Sequence, residues 1–317
     1  MSAQKLVTVS GATGSSGGSV AKYLLDDGAF AVRAITRNAG SPVAQALKER
    51  GAEVVVADLD KPETLPAAVR CSYGVVGVTD FWSIFVNTAD AEKSQQAEYE
   101  QGKALVDAAK EADVKHFVLF SAPRCDVAHC DNRDAINEYL KSRGVSRTTF
   151  YNPFYFETLV NPFMVMRGWQ AVKKEGDGSL VLGLSIPEDT YLPSYSNDQA
   201  GAWILTVFKN PSDWIGKEIF PIAEHNTPKT FAAVMSKALG KEVKAKPLLR
   251  EDFFKLADDP NPFVHEVFLA MKFCYDTQPP NSNYDEAVSR KIFPGAHTFE
   301  EFVQHNDKFK KFSEQYK

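Results

Sequence analysis

The sequence predicts an α/β chain, a doubly wound parallel sheet with a smaller C-terminal α/β lobe, and three observations predict it. Short apolar runs alternate with helical stretches through the first half, and strands separated by helices imply a parallel sheet with right-handed crossovers. A glycine-rich segment directly follows the first run. After Pro153 the rhythm gives way to aromatics and prolines, which marks a second region.

The elements follow in order. Residues 5–10 form the first strand, and Gly11 to Gly18 the glycine-rich turn. Val20, Ala21, Leu24 and Leu25 give the next helix its apolar face, and Gly28 ends it. Residues 30–36 are the second strand. Ser41 and Pro42 are an N-cap and first-turn pair that opens a helix stopping near Gly51. Residues 53–57 are the third strand, 62–70 a short helix and 73–79 the fourth strand. A long helix over 91–112 leads to the fifth strand, 115–121; 135–143 is helical and 147–151 is the sixth strand.

Beyond Pro153, Phe154, Tyr155, Phe156, Pro162, Phe163 and Trp169 crowd together, and a polar loop holds Gly176 and Gly178. Ser196 and Gln199 read as a capping box for a helix reaching about Phe208. Thr227 and Pro228 open another helix, closed by Gly240. Residues 258–262 read as a loop, with helical stretches near 263–273 and 299–312. The domains expected are therefore 1–153, a nucleotide-binding domain to which 189–222 returns, and 154–188 with 223–317, a smaller lobe.

Composition excludes several functions. Of 317 residues, 44% are hydrophobic and 24% charged, ordinary values for a globular protein. The net charge is -5, and no basic cluster stands out, so direct nucleic-acid binding is not expected; the lysines of 308–317 read as a solvated helix end. Apolar runs are too short to span a bilayer. Residues 5–10 already form a strand, so no leader is expected, and a soluble cytoplasmic or nucleocytoplasmic protein follows. The four cysteines, Cys71, Cys125, Cys130 and Cys274, contain no C-x-x-C pair. Cys125, His129 and Cys130 are close enough to suggest a metal site or a redox pair, but free thiols are the preferred reading and no metal is expected.

Gly11-Ala12-Thr13-Gly14-Ser15-Ser16-Gly17 has G-x-x-G-x-x-G spacing between a strand and an amphipathic helix. Glycines there permit a tight turn and let the backbone approach a pyrophosphate, while the helix aims its N-terminal N–H groups at the negative charge. The end of the second strand selects the cofactor. Thr36-Arg37-Asn38 offers no carboxylate for a ribose hydroxyl, and Arg37 can meet a 2′-phosphate with its planar fork, so NADP(H) is expected and NADPH preferred over NADH. The alternative is that Arg37 is a solvated strand-end residue. Asp58 is placed to touch the adenine, and Leu59, Thr79, Phe81, Tyr155 and Phe156 complete the candidate cofactor site.

Reduction needs a proton donor, which in short-chain dehydrogenases is a Tyr followed four residues later by Lys after the fifth strand. The pair Tyr99 and Lys103 lies on the helix before that strand and reads as a coincidence of helix spacing. Ser121 ends the strand where a substrate-polarising Ser would stand, but 123–133 holds neither Tyr nor Lys. Tyr139 and Arg143 follow on the next helix, where Arg cannot exchange a proton. Ser121 and Arg133 remain weak catalytic candidates.

The opening from Gly11 to Ala21 resembles that of the NmrA-like family, an atypical short-chain dehydrogenase/reductase branch. So do Ala34-Ile35-Thr36-Arg37-Asn38, Gly51-Ala52-Glu53-Val54-Val55, Val78-Thr79-Asp80-Phe81-Trp82 and Gln101-Gly102-Lys103. Pro153-Phe154-Tyr155-Phe156-Glu157 and Ser196-Asn197-Asp198-Gln199-Ala200-Gly201 extend the likeness. The resemblance is nearest to NADPH-sensing members such as HSCARG and fungal NmrA. It implies a Rossmann domain with a smaller lobe, NADP binding without evident turnover, and a transcription-factor or other protein partner. Reductase members keep a Lys after the fifth strand, and HSCARG-like members read His-Phe-Asp-Gly-Lys there. This chain has His129-Cys130-Asp131-Asn132-Arg133, which puts Arg133 at the Lys position, after a shorter loop.

The favoured expectation is a redox-sensing regulator that reads bound NADP(H) and acts through protein partners, as a monomer or homodimer. The alternative is an NADPH-dependent reductase of a hydrophobic quinone-like or enone substrate, with Phe81, Trp82, Tyr155 and Phe156 either lining a pocket or packing a core. A purely structural interaction module is the third reading.

Overall fold

The computed structural model describes residues 4–161, 172–246 and 248–316. Pro162, Phe163, Trp169 and Lys317, which entered the reading above, lie outside them. The chain forms two compact units, Met1–Asn152 with Asp198–Ile219, and Pro153–Asn197 with Phe220–Lys317.

The first unit carries a seven-stranded sheet. Its strands are β1 (Lys5–Val9), β2 (Phe30–Thr36), β3 (Glu53–Val56), β4 (Gly74–Gly77), β5 (His116–Ser121), β6 (Arg147–Tyr151) and, far later in the chain, β11 (Glu218–Ile219). The order is β11-β6-β5-β4-β1-β2-β3, and every pairing is parallel. Buried on both faces, β4 and β5 read as continuous apolar or small-residue runs rather than alternating ones.

Helices cover both faces. Leu65, Val69, Val75, Leu105, Val106, Ala109, Phe117, Ile136 and Leu140 make one core beneath α3 (Leu65–Val69), α5 (Ala91–Glu111) and α6 (Ala128–Ser142). On the other face lie α1 (Ser15–Asp27) and the helix Ala200–Lys209, whose Phe208 packs on Phe30 and His116 at 5.9 and 5.2 Å between ring centroids. The Nε2 of buried His116 meets the Thr148 hydroxyl at 2.8 Å, and its Nδ1 has no hydrogen-bond partner among the described residues. Burial pulls its pKa from 6.5 to about 4.

Local signals terminate the elements. Ser41 accepts from Ala44 N at the start of α2 (Pro42–Glu49), and Gly28 closes α1 in the left-handed region at φ 73°. The segment after β4 departs from expectation: Asp80 caps a further helix, α4 (Phe81–Thr88), where only a strand end with two aromatics was read. Helix α6 also begins at Ala128, well before the expected 135, because Val127 N-caps a turn whose backbone bonds form at once, Asp131 N to Val127 O at 2.8 Å.

The second unit holds two small sheets. In one, β10 (Leu192–Tyr195) pairs parallel with β7 (Phe154–Tyr155) and antiparallel with β12 (Glu224–Asn226). In the other, β9 (Leu180–Leu182) pairs with β8 (Val172–Lys174) and β13 (Val243–Ala245). Phe156, Phe231, Phe299 and Phe302 are fully or almost fully buried together, with Phe231 and Phe299 rings 4.7 Å apart. Thr227 and Thr230 make a capping box for Pro228–Leu239, closed by Gly240 at φ 63°.

One detail differs from the sequence reading. Because β10 pairs within the second unit, the segment returning to the first is 198–219, narrower than 189–222. The Ser196 hydroxyl donates to Glu157 at 2.7 Å, and a short 3-10 turn, Asn197–Gln199, leads into the helix Ala200–Lys209. Among the described residues, no helix is long and apolar enough to cross a membrane.

Candidate functional site

Parallel strands put their carboxyl ends on one edge, so the turns after β1, β2, β3, β4 and β5 share it. The turn after β1 is built from backbone. Gly11 sits at φ 61°, in the left-handed region, and its carbonyl accepts from Gly14 N at 2.9 Å. A Cβ on Gly17 would stand 2.4 Å from the Gly11 oxygen and 2.6 Å from the Ser10 oxygen, so only glycine lets α1 approach β1 this closely. Gly14 N-caps α1 without a side-chain bond, which leaves the helix's first turn and its positive dipole end uncovered by a cap. Gly11, Gly14 and Ser15 are exposed, Thr13 and Ser16 half-buried. Such a cradle fits a diphosphate.

Arg37, just past β2, is exposed and makes no hydrogen bond or ion pair with the described residues. The turn beneath it is fixed: Asn38 N donates to Thr36 Oγ1 at 3.2 Å, and Gly40 N to Asn38 Oδ1 at 2.9 Å. Asp58 and Leu59 follow β3, both half-buried; Asp58 accepts from Asp60 N at 3.2 Å, and Leu59 packs against the core.

The edge beyond β4 and β5 is built from side chains instead. Glu98, on α5, is fully buried. Its Oε1 accepts from the Thr79 hydroxyl at 2.6 Å and from Phe81 N at 3.2 Å, and its Oε2 from Asn132 Nδ2 at 2.7 Å. Arg133 completes the set, its Nε 3.3 Å from Oε1 with the side chain 16% exposed. A buried carboxylate is tolerated only when paired and hydrogen-bonded, and here every partner comes from another element. Gly102 brings α5 and α6 together for this, since a Cβ there would lie 2.5 Å from Ile136 Cδ1.

Thr79 therefore braces this edge from a buried position. Phe81 is fully enclosed, stacked on Phe85 at 5.3 Å, so the half-buried aromatics here are Trp82 and His129, 4.9 Å apart. Ser121 is fully buried, its hydroxyl near Ala122 O at 3.4 Å. Tyr155 and Phe156 belong to the second unit, Tyr155 edge-on to Tyr195 at 5.6 Å and Phe156 within the aromatic core. Tyr99 and Lys103 face α6, where Tyr99 meets the Tyr139 ring at 6.4 Å and Lys103 lies 5.6 Å from its centroid, while pairing with Asp107 of its own helix at 3.6 Å.

Sequence reasoning missed Glu98 and Asn132. The signal existed in the helix phase: Ser94, Glu98, Gly102, Leu105 and Ala109 follow helical spacing and are all buried. A charged member of an otherwise small or apolar stripe points to a buried partner.

The comparisons agree with this architecture. The profile of the NmrA-like family matches residues 3–303. The NmrA-like family domain-containing oxidoreductase cpsB of Aspergillus campestris is 31% identical over 271 residues, 78% of this chain and 77% of that protein. The corresponding oxidoreductase himF of Aspergillus japonicus is 30% identical over 257 residues, covering 76% and 75%. Among solved structures, NmrA, a negative transcriptional regulator, in complex with NADP superposes with a TM-score of 0.75 at 19% identity, covering 98% of this chain and 97% of that one. The NADPH-dependent quinone oxidoreductase QOR2 of Escherichia coli, complexed with NADPH, gives 0.72 at 21% identity, covering 94% and 99%. With the family profile spanning nearly its whole length, this chain is a member of the NmrA-like family.

Proposed function

We propose that the protein binds NADP(H) at the glycine turn and acts as a redox-sensing regulator through protein partners. The observation that carries this reading is the contrast along one sheet edge. The uncapped start of α1 and the exposed Arg37 are open to a dinucleotide. Ser121 is buried and Arg133 is held by Glu98, so neither is presented as a proton donor. The backbone of Gly11 to Gly17 would hold the diphosphate and Arg37 the 2′-phosphate, with Asp58 and Leu59 beside the adenine. When bound, the cofactor supplies a hydride; this chain's residues orient it and bias the fold. NADPH-bound protein would then select its partner, a transcription factor or other protein, in the cytoplasm or nucleus. The NmrA regulator solved with NADP has the same fold, which supports the reading.

Calorimetric titration with NADPH, NADP⁺, NADH and NAD⁺ tests the first step, with NADPH expected to bind tightest. Arg37→Ala should weaken NADPH about tenfold to a hundredfold and leave NADH unchanged, the scale of one or two charge-assisted hydrogen bonds. Limited proteolysis with and without NADPH should give different patterns, because a ligand shifts states only if it prefers one. Identical patterns would remove the sensor.

A second reading, NADPH-dependent reduction of a quinone-like or enone substrate, is favoured by the relatives named as oxidoreductases and by the half-buried Trp82 and His129. An imidazole there can hydrogen-bond a substrate carbonyl or pass it a proton. NADPH consumption across a quinone and enone panel, lost in Gly14→Val, would establish it.

A further inference from the structure

The stretch from Cys125 into the start of α6 contains a pair of thiols that neither reading uses. The Cys130 thiol, in the first turn of α6, is hydrogen-bonded to the Cys125 thiol and to the His129 side chain. Cys125 is half-buried and faces solvent in part, whereas Cys130 is buried. Asp126, in the left-handed region at φ 58°, turns the chain between them. Asp131 holds the turn in place, its Oδ1 accepting from Cys125 N at 2.8 Å and Asp126 N at 3.1 Å. Both cysteines are free thiols, and among the described residues no group of His, Cys, Asp and Glu is arranged to hold a metal.

We propose that Cys125 and Cys130 form a reversible intramolecular disulfide on exposure to a hydroperoxide, with Cys125 as the thiol oxidised first, Cys130 as the resolving thiol and His129 as the base that deprotonates it. The part-exposed Cys125 thiol loses its proton to solvent as its sulfur attacks the peroxide oxygen, the O–O bond breaks, and the sulfur becomes a sulfenic acid while the departing hydroxide takes up a proton and leaves as water. Cys130 sulfur then attacks the Cys125 sulfur, its proton passing through the His129 ring to the sulfenic hydroxyl, which leaves as a second water. In total, two thiols and one hydrogen peroxide give one disulfide and two waters. The hydrogen bond to Cys125 and the burial that push the Cys130 thiol up explain why it does not react first. Closing the bond draws the Cys125 turn onto the first turn of α6, which carries Asn132 and Arg133 to Glu98. The inference rests on the thiol geometry and stands apart from cofactor binding.

The sequence makes the test direct. Trypsin cuts after Arg124 and Arg133, so both cysteines fall in the single peptide running from Cys125 to Arg133. After treatment of the full chain with hydrogen peroxide, mass spectrometry should show this peptide lighter by two hydrogens, resistant to iodoacetamide and restored by dithiothreitol. Cys71, which is exposed, and Cys274 serve as internal controls and should stay alkylatable. Cys130→Ser should leave Cys125 as a sulfenic acid that dimedone traps. His129→Gln should slow ring closure by roughly tenfold or more, while leaving the first oxidation unchanged. Circular dichroism establishes that each variant is folded. Oxidation of Cys71 ahead of this pair, cross-linked dimers through Cys125, or both thiols of the folded protein remaining alkylatable would each overturn the proposal.

Discussion

The turn after β1 and the edge beyond β4 and β5 solve the same problem by opposite means. Between Gly11 and Gly17, polar groups are satisfied by backbone a few residues away, and side chains matter mainly by being absent. Around Glu98, one carboxylate gathers Thr79, Phe81 N, Asn132 and Arg133 from two distant stretches of the chain. A backbone-built turn stays open to a ligand, while a side-chain network consumes its own polar groups and becomes rigid. Along this sheet edge, the groups left open belong to the first kind of construction and the bracing to the second.

That contrast breaks if the network can be deleted without consequence. Glu98→Ala strands Arg133 and Asn132 in a buried place and should cost about 3–5 kcal/mol in urea unfolding. A loss near zero would mean that the edge is held by packing alone. Gly17→Ala tests the other side, forcing a Cβ against the Gly11 and Ser10 carbonyls, and should destabilise by about 1–3 kcal/mol while weakening NADPH binding.

His116 sharpens the comparison inside the core, where a side-chain bond to Thr148 satisfies only one ring nitrogen. Its pKa falls from 6.5 to about 4 on burial. Above pH 6.5 both folded and unfolded forms are neutral and nothing is lost. As pH falls from there towards about 4, the unfolded chain takes up a proton that the folded one refuses, so stability declines. The slope should approach about 1.4 kcal/mol per pH unit, and His116→Phe should remove that share from a pH series of unfolding curves. The smallest effect belongs to purely local bonds: Ser41→Ala and Thr227→Ala each remove a helix cap and should cost about 1 kcal/mol by thermal unfolding.

The same division explains what the sequence disclosed. Caps such as Ser41, Thr227, Gly28 and Gly240, and the glycine spacing, depend on neighbours in the chain, so they could be read directly. The inner strands of the first half are legible because parallel strands buried on both faces are continuous apolar runs, and β3, a part-exposed edge strand, because Val54, Val55 and Val56 are β-branched. Strands β8 and β9 are not, since three residues flanking a turn carry too short a pattern. The start of α6 shows no helical apolar pattern in the sequence, because His129, Cys130, Asp131, Asn132 and Arg133 are mostly polar. What makes them helical is tertiary: Asn132 and Arg133 meet a carboxylate more than thirty positions away. Phe81 and Phe156 look alike as aromatics following strands, and no sequence rule says that both rings would be enclosed.

One feature bears on how the molecule is made. Strand β11 completes the sheet beside β6, and Gly201 N donates to the Ser19 hydroxyl at 3.0 Å across 182 positions of chain. During synthesis the sheet therefore waits, one strand short and with α1 lacking its neighbouring helix, until residues 198–219 have left the ribosome. A nascent chain stopped at Pro153, where the sequence suggests a boundary, would hold the whole glycine turn and still lack the pieces that finish its fold.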